Sequence, residues 1–245
     1  MIMIERIGMN QSAIVQEKVE VVVADGTRMA AYVARPQKVG PHPGLLLFQE
    51  AFGVNHHIRG VSDRFAAEGY VAIAPELYHR TAPPGFEGSY SDFPAVMPHA
   101  RAVTTETAEA DIQSAYDWLR SNDKVKASEI SSVGFCMGGR VSFIANSSVR
   151  LRAAVSFYGG GIAPGLLDRA ARLRAPSLLI WGGLDKHITP EHRRSVAEAL
   201  SAEKKIYVNA EFSRADHGFF CDERSAYELH SARQAWALTL EFLRS

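Results

Sequence analysis

Cys136, Asp185 and His217 are residue types that can together run nucleophilic catalysis, and each lies beside an apolar run of the chain. Cys136 stands in Gly134-Phe135-Cys136-Met137-Gly138, which is G-x-S-x-G with sulfur in place of oxygen. That pattern suits a sharp turn from strand to helix. The residues two before and two after the nucleophile must be small, and the nucleophile is lifted above the sheet. The helix behind it points its positive end at the sulfur and favours the thiolate. The Met137 amide is then placed to donate to a developing oxyanion. The five residues alone leave a second role open, because cysteine is also a common small filler of cores.

Chain order separates the two roles. Asp185 follows the strand-like run "SLLIW", and His217 lies in the loop after "KIYVN". Nucleophile, acid, histidine is the order found on the α/β-hydrolase scaffold. Taken singly, Asp185 would be a turn or cap residue and His217 a surface loop residue. Taken together with the glycine-bounded cysteine, they read as a proton relay. His217 takes and returns the proton, and Asp185 fixes its tautomer and orientation.

The elements that must position these residues are legible as alternating strands and helices. "VEVVVAD" (19–25) and "RMAAYVAR" (28–35) alternate in polarity around Asp25-Gly26-Thr27 and predict an antiparallel hairpin. "LLLFQE" (45–50) and "YVAIAPEL" (70–77) read as strands buried on both faces of a parallel sheet. "ISSVGF", "AAVSFY", "SLLIWGG" and "KIYVN" come next in turn. Helical spacing appears between Ile58 and Ala66, over 105–121, near 138–147 and 164–172, over 190–201, and from about Arg224 to Leu243. This predicts one α/β domain over residues 1–245, with a mostly parallel sheet covered on both faces. Each candidate residue then falls at the carboxyl end of a strand, where ligands bind in such sheets. Residues 80–104 are rich in proline and glycine and carry Phe86, Tyr90 and Phe93. A long irregular stretch in a compact domain is usually functional, so it is a candidate lid. Residues 1–17 read as an N-terminal extension.

Composition narrows the function classes. The 245 residues carry 27 Lys and Arg against 27 Asp and Glu, so the formal charge is zero. A neutral chain lacks the basic footprint of a nucleic-acid binder. No apolar run is long enough to span a membrane, and Glu5 and Arg6 interrupt any secretory signal core. The two cysteines, Cys136 and Cys221, make a poor disulfide framework, which points to reduced thiols in the cytoplasm. His56 and His57 are adjacent, His187 and His192 are five apart, and no HExxH motif occurs, so no metal is expected. No G-x-G-x-x-G follows the first buried strand, so no dinucleotide is expected either; the site needs no cofactor.

The chain resembles the dienelactone hydrolase family. The matching stretches are "QEAFGVNHHIR" (49–59), "YVAIAPELYHR" (70–80), "GFCMGGR" (134–140), "GGLDKHITP" (182–190) and "DHGFF" (216–220). They run in the family order from about residue 18 to the end. The resemblance implies an α/β-hydrolase fold, a Cys-His-Asp triad, no metal, and hydrolysis of a lactone or small carboxylated ester. It gives Glu50 a role: to contact the resting nucleophile and help activate the thiol when substrate arrives. A carboxylate at the end of a buried strand needs a partner in any case. The resemblance also makes the Ala51 amide a second oxyanion donor beside that of Met137. It makes Arg80 a clamp for a substrate carboxylate, a task suited to a guanidinium with its two parallel bonds. Tyr158 is a candidate pocket wall.

One departure bears on the substrate. The family carries a second carboxylate-binding arginine four residues after the histidine, and here that position is Cys221, with Arg224 three further on. Other readings are a general carboxylesterase with a different substrate, a non-catalytic relative that binds a ligand or partner, and a thiol redox protein using Cys136 and Cys221. The intact triad argues against a binding module, and the absence of C-x-x-C against the redox protein.

Overall fold

Continuous apolar runs in the middle of the chain and alternating ones at its start dictate the sheet. The structure is a computed structural model and describes residues 13–245. Strands β1 (Ile14–Val22) and β2 (Arg28–Pro36) form the expected antiparallel hairpin. β3 (His42–Phe48), β4 (Val71–Pro75), β5 (Val125–Phe135), β6 (Ala154–Phe157), β7 (Ser177–Gly182) and β8 (Tyr207–Phe212) complete one eight-stranded sheet. Its order is β1-β2-β4-β3-β5-β6-β7-β8. β2 pairs antiparallel with β4, and from β4 to β8 all neighbours are parallel. Leu45, Leu46, Leu47 and Phe48 are all 0 % exposed, as a strand covered on both faces requires. Burying each such side chain contributes roughly 1.5–3 kcal/mol.

The described residues form six helices: α1 (His56–Ala67), α2 (Phe93–Ala102), α3 (Thr105–Ser121), α4 (Met137–Ser148), α5 (Pro190–Ala202) and α6 (Leu229–Arg244), of which all but α2 pack against the sheet. Asn55, Thr104 and Thr189 cap α1, α3 and α5 with side-chain oxygens, satisfying amides that a helix start leaves free. The stretch expected to be helical near 164–172 is a short 3₁₀ segment, Leu167–Arg172. Within the candidate lid, α2 is a helix where irregular chain was expected. It has prolines at Pro94 and Pro98, and only Val96 of it is buried, so no apolar stripe announces it. The hairpin also starts earlier than expected. β1 takes in Ile14–Lys18, whose Glu17 and Lys18 face solvent on an edge strand paired on one side. The rest of the expected extension, including the segment read as lacking a secretory signal, lies outside the described residues. No helix among the described residues is long and apolar enough to cross a membrane.

The sheet order reverses at β3. The chain passes from β3 to β4 on one side and then returns to place β5 on the other. Such a switch leaves a crevice at the carboxyl ends of the two strands. Phe48 of β3 pairs with Gly134 of β5, so Gln49, Glu50 and Ala51 emerge beside Cys136.

Candidate active site

Between β5 and α4 the chain turns at a single residue. Cys136 has φ 56°, ψ −117°, a conformation rare for any residue other than glycine and typical of strain held at a working site. Its amide donates to Phe157 O at 3.0 Å, which ties the turn to β6. The flanking glycine is forced: a Cβ on Gly134 would lie 1.9 Å from Gly138 O. Gly134→Ala is therefore expected to destabilise the fold by about 3 kcal/mol or more, since backbone must move to admit the methyl. Its urea midpoint, compared with wild type, checks this.

The turn presents Cys136 Sγ 3.1 Å from His217 Nε2. His217 Nδ1 lies 2.8 Å from Asp185 Oδ2. The other Asp185 oxygen accepts the amides of His187 at 2.8 Å and Ile188 at 3.0 Å. Arg193 pins that loop by donating to Ile188 O and Gly182 O. The histidine loop is anchored on its C-terminal side, where Phe219 and Phe220 are buried and Phe220 stacks on Phe135 at 5.1 Å. Three residues from three separate loops thus meet because each loop is fixed by its own buried contacts.

Charge in this row is coupled. Burial works against a charged imidazole, but the facing Cys136 sulfur and the Asp185 carboxylate outweigh it and push His217 up to about 10. Burial would raise the Asp185 carboxyl, yet the bonds from His217 and the two amides hold it below its ordinary value. The favoured state of His217 is therefore the imidazolium, held beside the Asp185 carboxylate.

The row opens on a cavity of about 580 Å³ lined by Ala51, Met137, Phe52, Tyr90, Phe93 and Arg224 among others. Met137 opens α4, so its N–H has no partner inside the helix. Ala51 is fixed by Tyr78, whose hydroxyl donates to Ala51 O at 2.9 Å. Residues 80–104, the candidate lid, form one side of it through Tyr90, Phe93 and Met97. Gly88 N donates to Phe52 O at 2.9 Å, and Tyr90 packs edge-on against Phe52.

Several expected residues sit differently. Glu50 is 1 % exposed and is paired with Arg224 Nη1 at 3.5 Å, while the hydrogen-bond partner of Cys136 Sγ is His217. The second Glu50 oxygen has no hydrogen-bond partner among the described residues. Arg80 is not in the cavity. Its guanidinium grips Asp111 through two bonds, at 2.8 and 3.0 Å, and Asp25 at 2.7 Å. Asp111 is wholly buried on α3 and needs that partner, so the arginine is held away from substrate. Tyr158 is fully buried behind His217, with ring centres 5.1 Å apart, and does not line the cavity.

Arg224 is the cationic group whose role the sequence left open. It lies in the turns before α6, where a helix start was expected, and its side chain reaches back past Gly218. A Cβ on Gly218 would lie 2.0 Å from Arg224 Nη1, so glycine is what lets the guanidinium through. Arg140 also lines the cavity. A usable signal for it existed, since it stands four residues after Cys136, one helical turn on. Cys221 is buried beside Tyr90, and burial together with the nearby Glu50 pushes its thiol up to about 12. A thiol so poorly ionised is a weak nucleophile, which argues against a redox pair. Among the described residues no group of three or more His, Cys, Asp or Glu side chains could hold a metal ion.

Known proteins share much of the sequence and the fold of this chain. The family model described as "Dienelactone hydrolase family" matches residues 29–245. The chain belongs to the dienelactone hydrolase family. A Synechocystis protein named "Putative carboxymethylenebutenolidase" is 36 % identical over 85 % of this chain and 88 % of its own length. An Escherichia coli K12 protein of the same name is 34 % identical over 95 % and 91 %. A crystal structure named "Putative Dienelactone Hydrolase", from Klebsiella pneumoniae, superposes with a TM-score of 0.87 at 32 % identity, covering 95 % of this chain and 99 % of that one. The fold is that of the α/β-hydrolases, and this dienelactone hydrolase family member is a hydrolase.

Proposed function

We propose that this protein hydrolyses a small carboxylated lactone or ester by a Cys136–His217–Asp185 triad. The observation that carries the reading is the unbroken row from Asp185 to His217 to Cys136, at 2.8 and 3.1 Å, ending at an open cavity. His217 Nε2 takes the Cys136 thiol proton, and Sγ attacks the carbonyl carbon. The oxyanion forms against the amides of Ala51 and Met137. His217 Nε2 gives its proton to the departing alkoxide, leaving a thioester on Cys136. Water then attacks the thioester, His217 accepts its proton, and the thiolate leaves. Asp185 keeps Nε2 turned towards the sulfur throughout.

The cavity supplies the preference for an acid. Arg224 faces it from one wall and Arg140 from another, among apolar Phe52, Phe93 and Met97. A charge-assisted bond is worth roughly 1.5–3 kcal/mol. Arg224→Ala is expected to lower kcat/KM for an acidic substrate about ten- to a hundredfold more than for a neutral ester of the same shape. Arg80→Ala is expected to leave that ratio unchanged and instead to cost about 3 kcal/mol of stability, because Asp111 loses a partner while buried. Efficiencies on one acidic and one neutral ester, in wild type and both variants, test the reading. A ratio moved by Arg80→Ala and not by Arg224→Ala would overturn the placement of the carboxylate.

A further inference from the structure

A smaller cavity of about 230 Å³ lies beside the catalytic one, and the two share Gly161 and His187 in their lining. Its walls come from the loop after β6 (Gly159, Ala163), from Trp181 of β7, from Ile188 and from Val196 of α5. Trp181, Ile188 and Val196 are 1, 5 and 2 % exposed. The single polar atom of Trp181 is already used, because its indole N–H donates to Asn209 Oδ1 at 2.6 Å. The surface offered to a ligand is therefore apolar, and the polar side chains lining it are His187 and His192. Packed interiors leave few gaps larger than a water molecule, so a space of this size next to a reactive row calls for an occupant.

Position says which part of a substrate that is. The His187 ring stands edge-on to His217, with centres 5.5 Å apart. His217 hands its proton to the departing alkoxide, so the leaving group must lie on the His217 side of the carbonyl carbon. The oxyanion faces Ala51 and Met137, and an acyl carboxylate faces Arg224. The direction left for the alcohol portion runs past His187 and Gly161 into the smaller cavity.

We infer that the cavity walled by Trp181, Ile188 and Val196 is a leaving-group subsite for a compact apolar alcohol portion, with His187 and Gly161 as its neck. An apolar cavity of ~150 Å³ accepts a benzene ring, so this larger one has room for at least about six carbons. In a lactone the same space takes the ring carbons next to the leaving oxygen. The inference rests on the triad reading above.

Methyl, propyl, butyl, hexyl and octyl monoesters of succinic acid, hydrolysed by the purified protein, test it. Each methylene that enters the subsite should raise kcat/KM about fourfold, and the gain should level off once the cavity is full. Val196→Phe fills the space from α5 and should bring the butyl-to-methyl ratio close to one, with folding checked by thermal melting. Should that variant not fold, product inhibition of wild type reads the same space: 1-butanol should compete at a concentration at least about tenfold below that of methanol. Cysteine-dependent hydrolysis of all the esters with equal efficiency, or an unchanged ratio in folded Val196→Phe, would overturn the subsite and leave the triad standing. No cysteine-dependent hydrolysis of any of them would overturn the triad reading and the subsite with it.

Discussion

Cys136→Ala loses hydrolysis of lactones and activated esters by about 10⁴-fold or more and keeps its fold. The loss is large because no other group in the row can take over. Cys221 is buried with its thiol pushed up to about 12, and Asp185 is turned into its own loop by two amides. Residual activity would come from the Ala51 and Met137 amides and from binding alone. The fold survives because Cys136 is half-buried at a turn that it already strains at φ 56°. Alanine there carries no more strain than cysteine does, so the melting temperature should stay within the range of an ordinary surface change. Steady-state rates on an aryl ester, with a thermal melt of the same preparation, check both halves.

His217→Ala is the second large loss, roughly 10²- to 10⁴-fold in turnover, because one group serves as acid in the first half-reaction and base in the second. It also has a signature in pH. His217 is raised to about 10, against an ordinary histidine value near 6.5. A raised folded value means that its stabilising contribution is complete below about pH 6.5 and is lost as pH rises through about 10. In wild type the rate at which iodoacetamide alkylates Cys136 should therefore change as pH rises through about 10, where His217 loses its proton, and that step should be absent from His217→Ala. Alkylation rate against pH, in the two proteins, makes the comparison. Identical profiles would mean that His217 does not act on Cys136.

The turn at Cys136 and the sheet were readable in the sequence because both are local. Gly134 and Gly138 stand two residues either side of Cys136, and "LLLFQE" opens on an uninterrupted apolar run. The setting of the arginines was not, because their contacts are long-range. Arg80 is held by Asp111, 31 residues away, and nothing in "ELYHR" reveals that partner. Arg224 meets Glu50 across 174 residues, and it does so only because α6 starts at Leu229 and leaves the arginine in a turn. Helical spacing carries no marker for that five-residue difference, since Arg224 and Leu229 both fit an amphipathic pattern. Helix α2 escaped for a different reason. It packs on a small cluster of Ala51 and Phe52 through Val96, away from the main core, so it needs no full apolar stripe.

The most direct test of the account is the intact mass of the protein a few milliseconds after mixing with a slowly turned-over aryl ester, together with peptide mapping. The account predicts a transient increase equal to one acyl group, carried by the peptide that contains Cys136 and absent from Cys136→Ala. An acyl group found on any other residue, or steady turnover in wild type with Cys136 never acylated, would contradict it.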